Sequence, residues 1–259
     1  MTKAQYEAAY QSARKTYPQL IRSTMIRLKR TYKKASERVA EIIREAQRSG
    51  KSDLTVAAWE QVNAQLNAAA VDISNQLYNV VPQTSRTAID ATGKIQEEYL
   101  FDAATAAGAT KLITKVGIEN MNFGVNDRVI RSLVNRIYQN GYTFSESCWQ
   151  AGQYYQKQIK DVISSGLAMG RSSIQIAKDI QVYTADGKIK LANRYGPNLV
   201  RPTKEFMKRI GDRVDYRALR LVRSELYMSL QDAAKEQGRV SPAWEDCIVT
   251  GKQIGRAHV

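Results

Sequence analysis

The chain has 259 residues, 43% of them hydrophobic, which is enough to bury a core in one large domain or two smaller ones. It contains no apolar run of the roughly 18 residues that a membrane-spanning helix needs, and its polar N-terminus lacks the apolar core of a signal peptide, so we expect a protein of cytoplasmic origin. Its two cysteines, Cys148 and Cys247, form no CxxC pair, which argues against a disulfide framework or a zinc site.

The formal net charge of +14 is concentrated in two regions. Residues 1–50 carry 12 Lys and Arg against 4 Asp and Glu, and residues 187–225 carry 11 against 4. Such regions suit contact with a polyanion such as DNA or with acidic protein surfaces. They are equally consistent with helix faces that are simply exposed to solvent. The side chains expected to contact a polyanion are Arg27, Lys29, Arg30, Lys33, Lys34, Lys188, Lys190, Arg194 and Arg201.

Two apolar stripes near the N-terminus predict a helical hairpin over about residues 19–81. The first stripe is a heptad seam, with steps of four and three: Ile21, Met25, Leu28, Tyr32, Ala35, Val39, Ile42 and Ala46. The second stripe begins at Val56 and ends at Pro82. Because two long helices joined by a short turn pack antiparallel, residues 1–82 are expected to form a basic hairpin, whose seam packs within the chain or between subunits.

Residues 83–181 are expected to form a helical middle region. A connector is predicted at 109–124, where two glycines interrupt the pattern, and Asn126 is the predicted cap of the next helix. Ser145 is predicted to open the helix that follows, with Tyr154 and Tyr155 on its flank. A tight corner then follows, because Gly170 suits the left-handed end of a helix and Ser172 with Gln175 forms a capping box.

Residues 182–246 are expected to hold a basic arm followed by a helix. Helical periodicity fails from Val182 to Pro202, where the Asp186-Gly187 turn and a short alternating run predict a small β-hairpin or extended arm near 183–202. The helix begins near Asp215, buries an apolar stripe and is predicted to stop at Gly238.

The centre of that helix carries three polar residues in a row, Arg223, Ser224 and Glu225. Since neighbouring side chains point about 100° apart, at least one of the three must face protein. An arginine and a glutamate on a helix form a structural ion pair or cap far more often than a catalytic site.

The end of the chain looks foreign to the protein. Ile254–Val259 can be encoded by ATC GGA AGA GCA CAC GTC, which resembles the start of a widely used sequencing adapter. We therefore expect residues 247–259 to be adapter-derived and the C-terminal domain to be truncated. That interpretation removes His258, the only histidine, and with it any Ser-His-Asp or Cys-His system. With no Walker loop, paired carboxylates or metal-ligand cluster either, the sequence predicts no enzyme, cofactor or metal.

One ordered set of features resembles the phage Mu F-like head morphogenesis family of tailed-phage minor capsid proteins. The set comprises the Gly170-Arg171-Ser172 corner, the short helix after it, Arg223-Ser224-Glu225 in place of the family's Arg-Thr-Glu, and Trp244. The resemblance covers about residues 163–244, and the motif residues it assigns a structural role are Gly170, Ser172, Arg223, Ser224, Glu225 and Trp244.

This resemblance implies a mainly α protein of the virion head, located near the portal vertex and assembled in the bacterial cytoplasm. Its partners would be portal or capsid proteins and the packaged DNA, and its role head assembly, genome packaging or ejection. Two alternatives remain open: a nucleic-acid-binding or coiled-coil interaction protein, and the non-catalytic part of a fusion to a protease or toxin domain.

Overall fold

The computed structural model describes residues 1–48, 56–111, 113–182 and 216–240. Helix accounts for 89% of these residues and strand for none, which confirms the mainly α prediction. The six helices of the described ranges are α1 (Lys3–Arg48), α2 (Val56–Ala106), α3 (Lys115–Val134), α4 (Phe144–Ala168), α5 (Ser173–Val182) and α6 (Tyr216–Val240). The β-arm predicted near 183–202 and the tail 247–259 lie outside the described residues.

The predicted heptad seam forms most of the buried face of α1. Its members from Ile21 to Val39 are buried, but Ile42 is half-buried and Ile43 takes its place in the core. A strict seven-residue repeat drifts by about 20° per heptad on a straight helix, so the buried stripe moves to a neighbouring residue after a few turns. α1 also begins well before the predicted start and passes through Pro18, which removes one backbone hydrogen bond.

The predicted helix end at Pro82 is wrong, because α2 continues through it to Ala106. An interior proline costs about 3 kcal/mol, since the carbonyl four residues earlier loses its donor. The buried apolar stripe nevertheless continues beyond the proline in Ala88 and Ile89, and this burial offsets the local cost. The division of the chain into 1–82, 83–181 and 182–246 stays a prediction.

The connector predicted at 109–124 is also wrong, since much of it belongs to α3. The hydroxyl of Thr114 caps this helix by accepting a hydrogen bond of 3.0 Å from the N–H of Gly117. Asn126, the predicted cap, is buried inside the helix and donates to Asp90 Oδ1 of α2 at 2.9 Å. Each helical glycine costs about 1 kcal/mol relative to alanine, and the buried face of α3 outweighs that penalty.

α4 begins at Phe144, with Thr143 rather than Ser145 as its cap. The Thr143 hydroxyl accepts from the Glu146 N–H at 3.2 Å, while the Glu146 carboxylate accepts from the Thr143 N–H at 2.7 Å. This reciprocal capping box satisfies two donors that a helix end would otherwise leave unpaired. The hydrogen bonds from the Thr143 backbone and side chain lower the pKa of the Glu146 carboxyl.

Gly152 allows α4 to lie close to α2, because a Cβ at this position would collide with the backbone carbonyl of Ala70. Tyr155, predicted on the flank of α4, is instead fully buried. Its hydroxyl lies 3.0 Å from Ser36 Oγ, and its ring meets Tyr32 edge to face with centroids 5.4 Å apart. Burial raises the pKa of the Tyr155 phenol, which therefore stays neutral and acts as a core side chain.

The corner between α4 and α5 confirms its prediction. Gly170 has a φ of 66°, its N–H donates to the Leu167 carbonyl, and the Arg171 N–H donates to the Gly166 carbonyl. These are the two hydrogen bonds of a Schellman motif, which favours glycine at the left-handed position. The capping box of α5 is also present, since the Ser172 N–H donates to Gln175 Oε1 at 3.1 Å and Ser172 Oγ accepts from the Gln175 N–H at 3.4 Å.

The apolar stripe predicted for α6 is buried, including Leu219, Val222 and Leu226. The predicted stop at Gly238 is wrong, because α6 extends to Val240. A glycine suits a helix end but does not require one, and here it lies inside the last turn.

The described residues form two compact units, and α1, α2 and α6 contribute to both. The first unit comprises residues 1–21, 81–137 and the described residues from 223 onward. The second comprises residues 22–80 and the described residues of 138–222. Within the first unit, Arg86 of α2 pairs with Asp127 of α3 at 3.1 Å.

Candidate functional site

The first basic cluster lies on α1 in the second unit, and its members occupy two sides of the helix. Arg27, Arg30 and Lys34 are exposed and, at 3.6 residues per turn, fall within an arc of about 60°. Lys29, which is half-buried, and Lys33 project about 90° or more from the middle of that arc. Lys33 also pairs with a carboxylate one turn later, at 3.6 Å. The five predicted residues therefore do not form one surface.

A groove of about 350 Å³ between α1 and α2 collects part of this cluster. Its α1 side carries three cations on successive turns, Arg30, Lys34 and Arg38. Its α2 side is polar and contributes three amides and one carboxylate. The described residues that line the groove are Arg30, Thr31, Lys34, Ala35, Arg38, Asp72, Asn75, Gln76 and Asn79.

The described lining of the groove is electropositive, with three cations and one carboxylate. Among the described residues, neither Arg30 nor Lys34 has an ion-pair partner. Arg38 lies 3.9 Å from Asp72, and both side chains are about half exposed. An exposed pair at this distance contributes at most about 1 kcal/mol, so Arg38 is also available to an incoming anion.

Sequence reasoning missed Arg38 and the amides that face it. The Arg30, Lys34 and Arg38 spacing of i, i+4 and i+8 was a usable signal, because it places three cations on one helix face. The amides Asn75, Gln76 and Asn79 carried no such signal. Their relevance depends on which face of α2 approaches α1.

The first unit contains a buried ionic cluster at the predicted family motif. Glu225 is fully buried and its Oε2 accepts from Arg136 Nη1 at 2.9 Å. Arg136 is only 14% exposed and also pairs with Asp232, which lies two turns after Glu225 on α6. Arg223 is exposed and Ser224 half-buried. Glu225 is therefore the member of the triplet that faces protein, as the helical geometry required.

The partner of Glu225 was not predicted. The sequence predicted a structural ion pair or cap for this triplet without naming a partner, and the structure pairs Glu225 with Arg136, just after α3. No local pattern around Arg136 distinguishes it from the other surface arginines. Only the fold brings the two residues together.

Two of the predicted motif residues lie at the corner between α4 and α5. Gly170 and Ser172 are exposed at the α4–α5 corner, where Arg171 pairs with the buried Asp179 at 3.1 Å. This ion pair links the corner to α5. The remaining predicted site residues lie outside the described ranges: Lys188, Lys190, Arg194, Arg201 and Trp244.

Other chemistry is sparse in the part of the chain that the structure describes. Cys148 is buried in α4. Within the described ranges, His, Cys, Asp and Glu side chains form no group of three or more that could hold a metal ion. None of the helices in residues 1–48, 56–111, 113–182 and 216–240 has the length and hydropathy required to cross a membrane.

Comparison of the chain with protein-family models, curated proteins and solved structures finds no match.

Proposed function

We propose that this protein is a minor capsid or head morphogenesis protein of a tailed bacteriophage, associated with the portal vertex. The observation that carries the proposal is the burial of Glu225 and its 2.9 Å hydrogen bond with Arg136. In the Mu F-like resemblance this residue belongs to a structural motif, and a fully buried, paired carboxylate suits that role. The Schellman corner at Gly170 and the capping box at Ser172 support the same ordered set.

The proposed role is structural rather than catalytic and uses the N-terminal helices as a contact surface. We take α1 and α2 to form the antiparallel hairpin over about 19–81 that the sequence predicts. The Arg38–Asp72 pair and the groove that both helices line support this arrangement. The basic arm near 183–202 would add a second contact. Partners of such surfaces would be portal and capsid proteins in the virion and the DNA that passes through the portal.

A nucleic-acid-binding protein outside a virion is the second candidate function, and the electropositive groove favours it. A coiled-coil interaction protein and the non-catalytic part of a fusion to a protease or toxin domain are the remaining alternatives.

Co-assembly tests the proposed function directly. The chain would be co-expressed with the portal and major capsid proteins encoded beside its gene, and assembled heads would be purified by sedimentation. We expect a few copies per head, retained when a portal is present and lost when the portal gene is omitted. Absence of the chain from portal-containing heads would contradict the proposal.

A further inference from the structure

We infer that the groove between α1 and α2 is a nucleic-acid-binding site in which Arg30, Lys34 and Arg38 hold backbone phosphates. This inference rests on the proposed function only in placing nucleic acid among the partners. It assigns that contact to one site within the second unit, with a residue set that differs from the basic cluster predicted from the sequence.

The spacing of the three cations suits a phosphate backbone. With a rise of 1.5 Å per residue, side chains at i, i+4 and i+8 are about 6 Å apart along the helix and span about 12 Å. One strand of a duplex presents a phosphate about every 3.4 Å along the helix axis, so this span faces roughly three or four phosphates. Arg30 and Lys34, which have no ion-pair partner among the described residues, need break no such pair to bind them.

The opposite wall explains why nucleic acid fits better than an acidic protein. Asn75, Gln76 and Asn79 present amides, which commonly bind phosphate and sugar oxygens together with arginine and lysine. The centre of a protein interface is instead enriched in aromatic and aliphatic anchors. Among the described residues that line this groove, the only apolar side chain is Ala35, which is too small to serve as such an anchor.

Asp72 provides a variant that should strengthen binding. Its carboxylate lies 3.9 Å from Arg38, on the α2 side of the groove, and repels a phosphate that Arg38 would bind. Asp72→Asn removes that charge and leaves a side chain of nearly the same shape. Because the pair is exposed, we expect little change in stability. A gain in affinity would not arise from partial unfolding.

The decisive experiment measures DNA binding by fluorescence anisotropy, with the full chain and duplex or single-stranded oligonucleotides, across a salt series. The groove variant R30Q/K34Q is compared with K15Q/R48Q, which also removes one lysine and one arginine charge from α1, at exposed positions outside the groove lining. Each lost phosphate contact should reduce the slope of log K against log salt by about 0.9 on duplex and about 0.7 on single strands. We expect the groove variant to lose about two contacts and the control to lose none.

Asp72→Asn is expected to tighten binding several-fold at low salt. Equal weakening by the two neutralised pairs, or no effect of Asp72→Asn, would show diffuse attraction and overturn the assigned site. Absence of DNA binding at low salt would overturn the inference. If the chain then binds an acidic polypeptide, and the groove variant binds that polypeptide more weakly, the groove is assigned to a protein partner. Head incorporation is measured separately, so a chain that enters heads without binding DNA refutes only this inference.

Discussion

Glu225 is a fully buried carboxylate whose charge is compensated by a nearly buried guanidinium. Removing one member of a buried ion pair costs about 3–5 kcal/mol of stability. Because Asp232 still contacts Arg136, we expect Glu225→Ala to lower the free energy of unfolding by about 3 kcal/mol, the lower end of that range. Urea denaturation would measure the loss in unfolding free energy. Arg223→Ala, on the exposed side of the same helix, is the matched control and should stay within about 0.5 kcal/mol. Equal stability of both variants would make Glu225 a functional candidate again.

Residue-level prediction from the sequence succeeded where one side chain's geometry sufficed. That one residue of the Arg223-Ser224-Glu225 triplet faces protein follows from helical spacing alone, and Gly170 follows from the preference of glycine for positive φ. The identity of the Glu225 partner did not follow, since Arg136 is 89 residues away along the chain. Contacts of that kind depend on which helices pack together.

The capping box of α4 makes the start of this helix sensitive to pH. Hydrogen bonds from Thr143 lower the pKa of the Glu146 carboxyl below its ordinary value of 4.5. Its contribution to stability is therefore present above the unfolded-state pKa and is lost as the pH falls through the folded-state pKa. We expect an NMR titration of Glu146 to give a midpoint below 4.5 that returns toward this value in Thr143→Ala.

That variant should also lose about 1 kcal/mol of stability, the usual effect of removing an N-cap. Ser145→Ala is the control, because this exposed neighbour is not part of the capping box. A Glu146 midpoint that is the same in Thr143→Ala and Ser145→Ala would contradict the assigned hydrogen bonds.

Element boundaries failed where local residue types opposed long-range packing. Pro82, the two glycines of α3 and Gly238 all suggested breaks, yet each lies inside a helix. The local penalties are about 1 kcal/mol for glycine and about 3 for proline, and a few buried side chains offset them. The α4–α5 corner was predictable because the Schellman motif and capping box there are local and act together.

At the scale of the whole chain, the helical spacing of apolar residues predicted the mainly α class, and counting charges along the sequence located the basic regions. Neither predicted the groove, because charge counting along α1 cannot show which cations face α2. The heptad seam predicted only which side of α1 is buried, with Leu28 and Tyr32 facing inward. The opposing amides became relevant only once the two helices lay side by side.

We expect the two units to unfold in one transition, because three helices contribute residues to both. α1, α2 and α6 each cross the division between the units, and a helix that melts on one side loses backbone hydrogen bonds at the junction. Pro18 and Pro82 each remove only one such bond. Local destabilisation of either unit should therefore lower the same melting temperature.

Glu225→Ala perturbs the first unit, and Gly152→Ala perturbs the second by forcing a Cβ against the Ala70 backbone. Such overpacking costs about 1–3 kcal/mol, and a chain of this size loses about 2–4 °C per kcal/mol. Gly93→Ala is the control, since its Cβ would meet Gln237 Nε2 at an ordinary 3.5 Å. We expect calorimetry to show one transition that both destabilising variants shift and the control does not lower. Two transitions, each responding to only one variant, would mean that the shared helices do not couple the units.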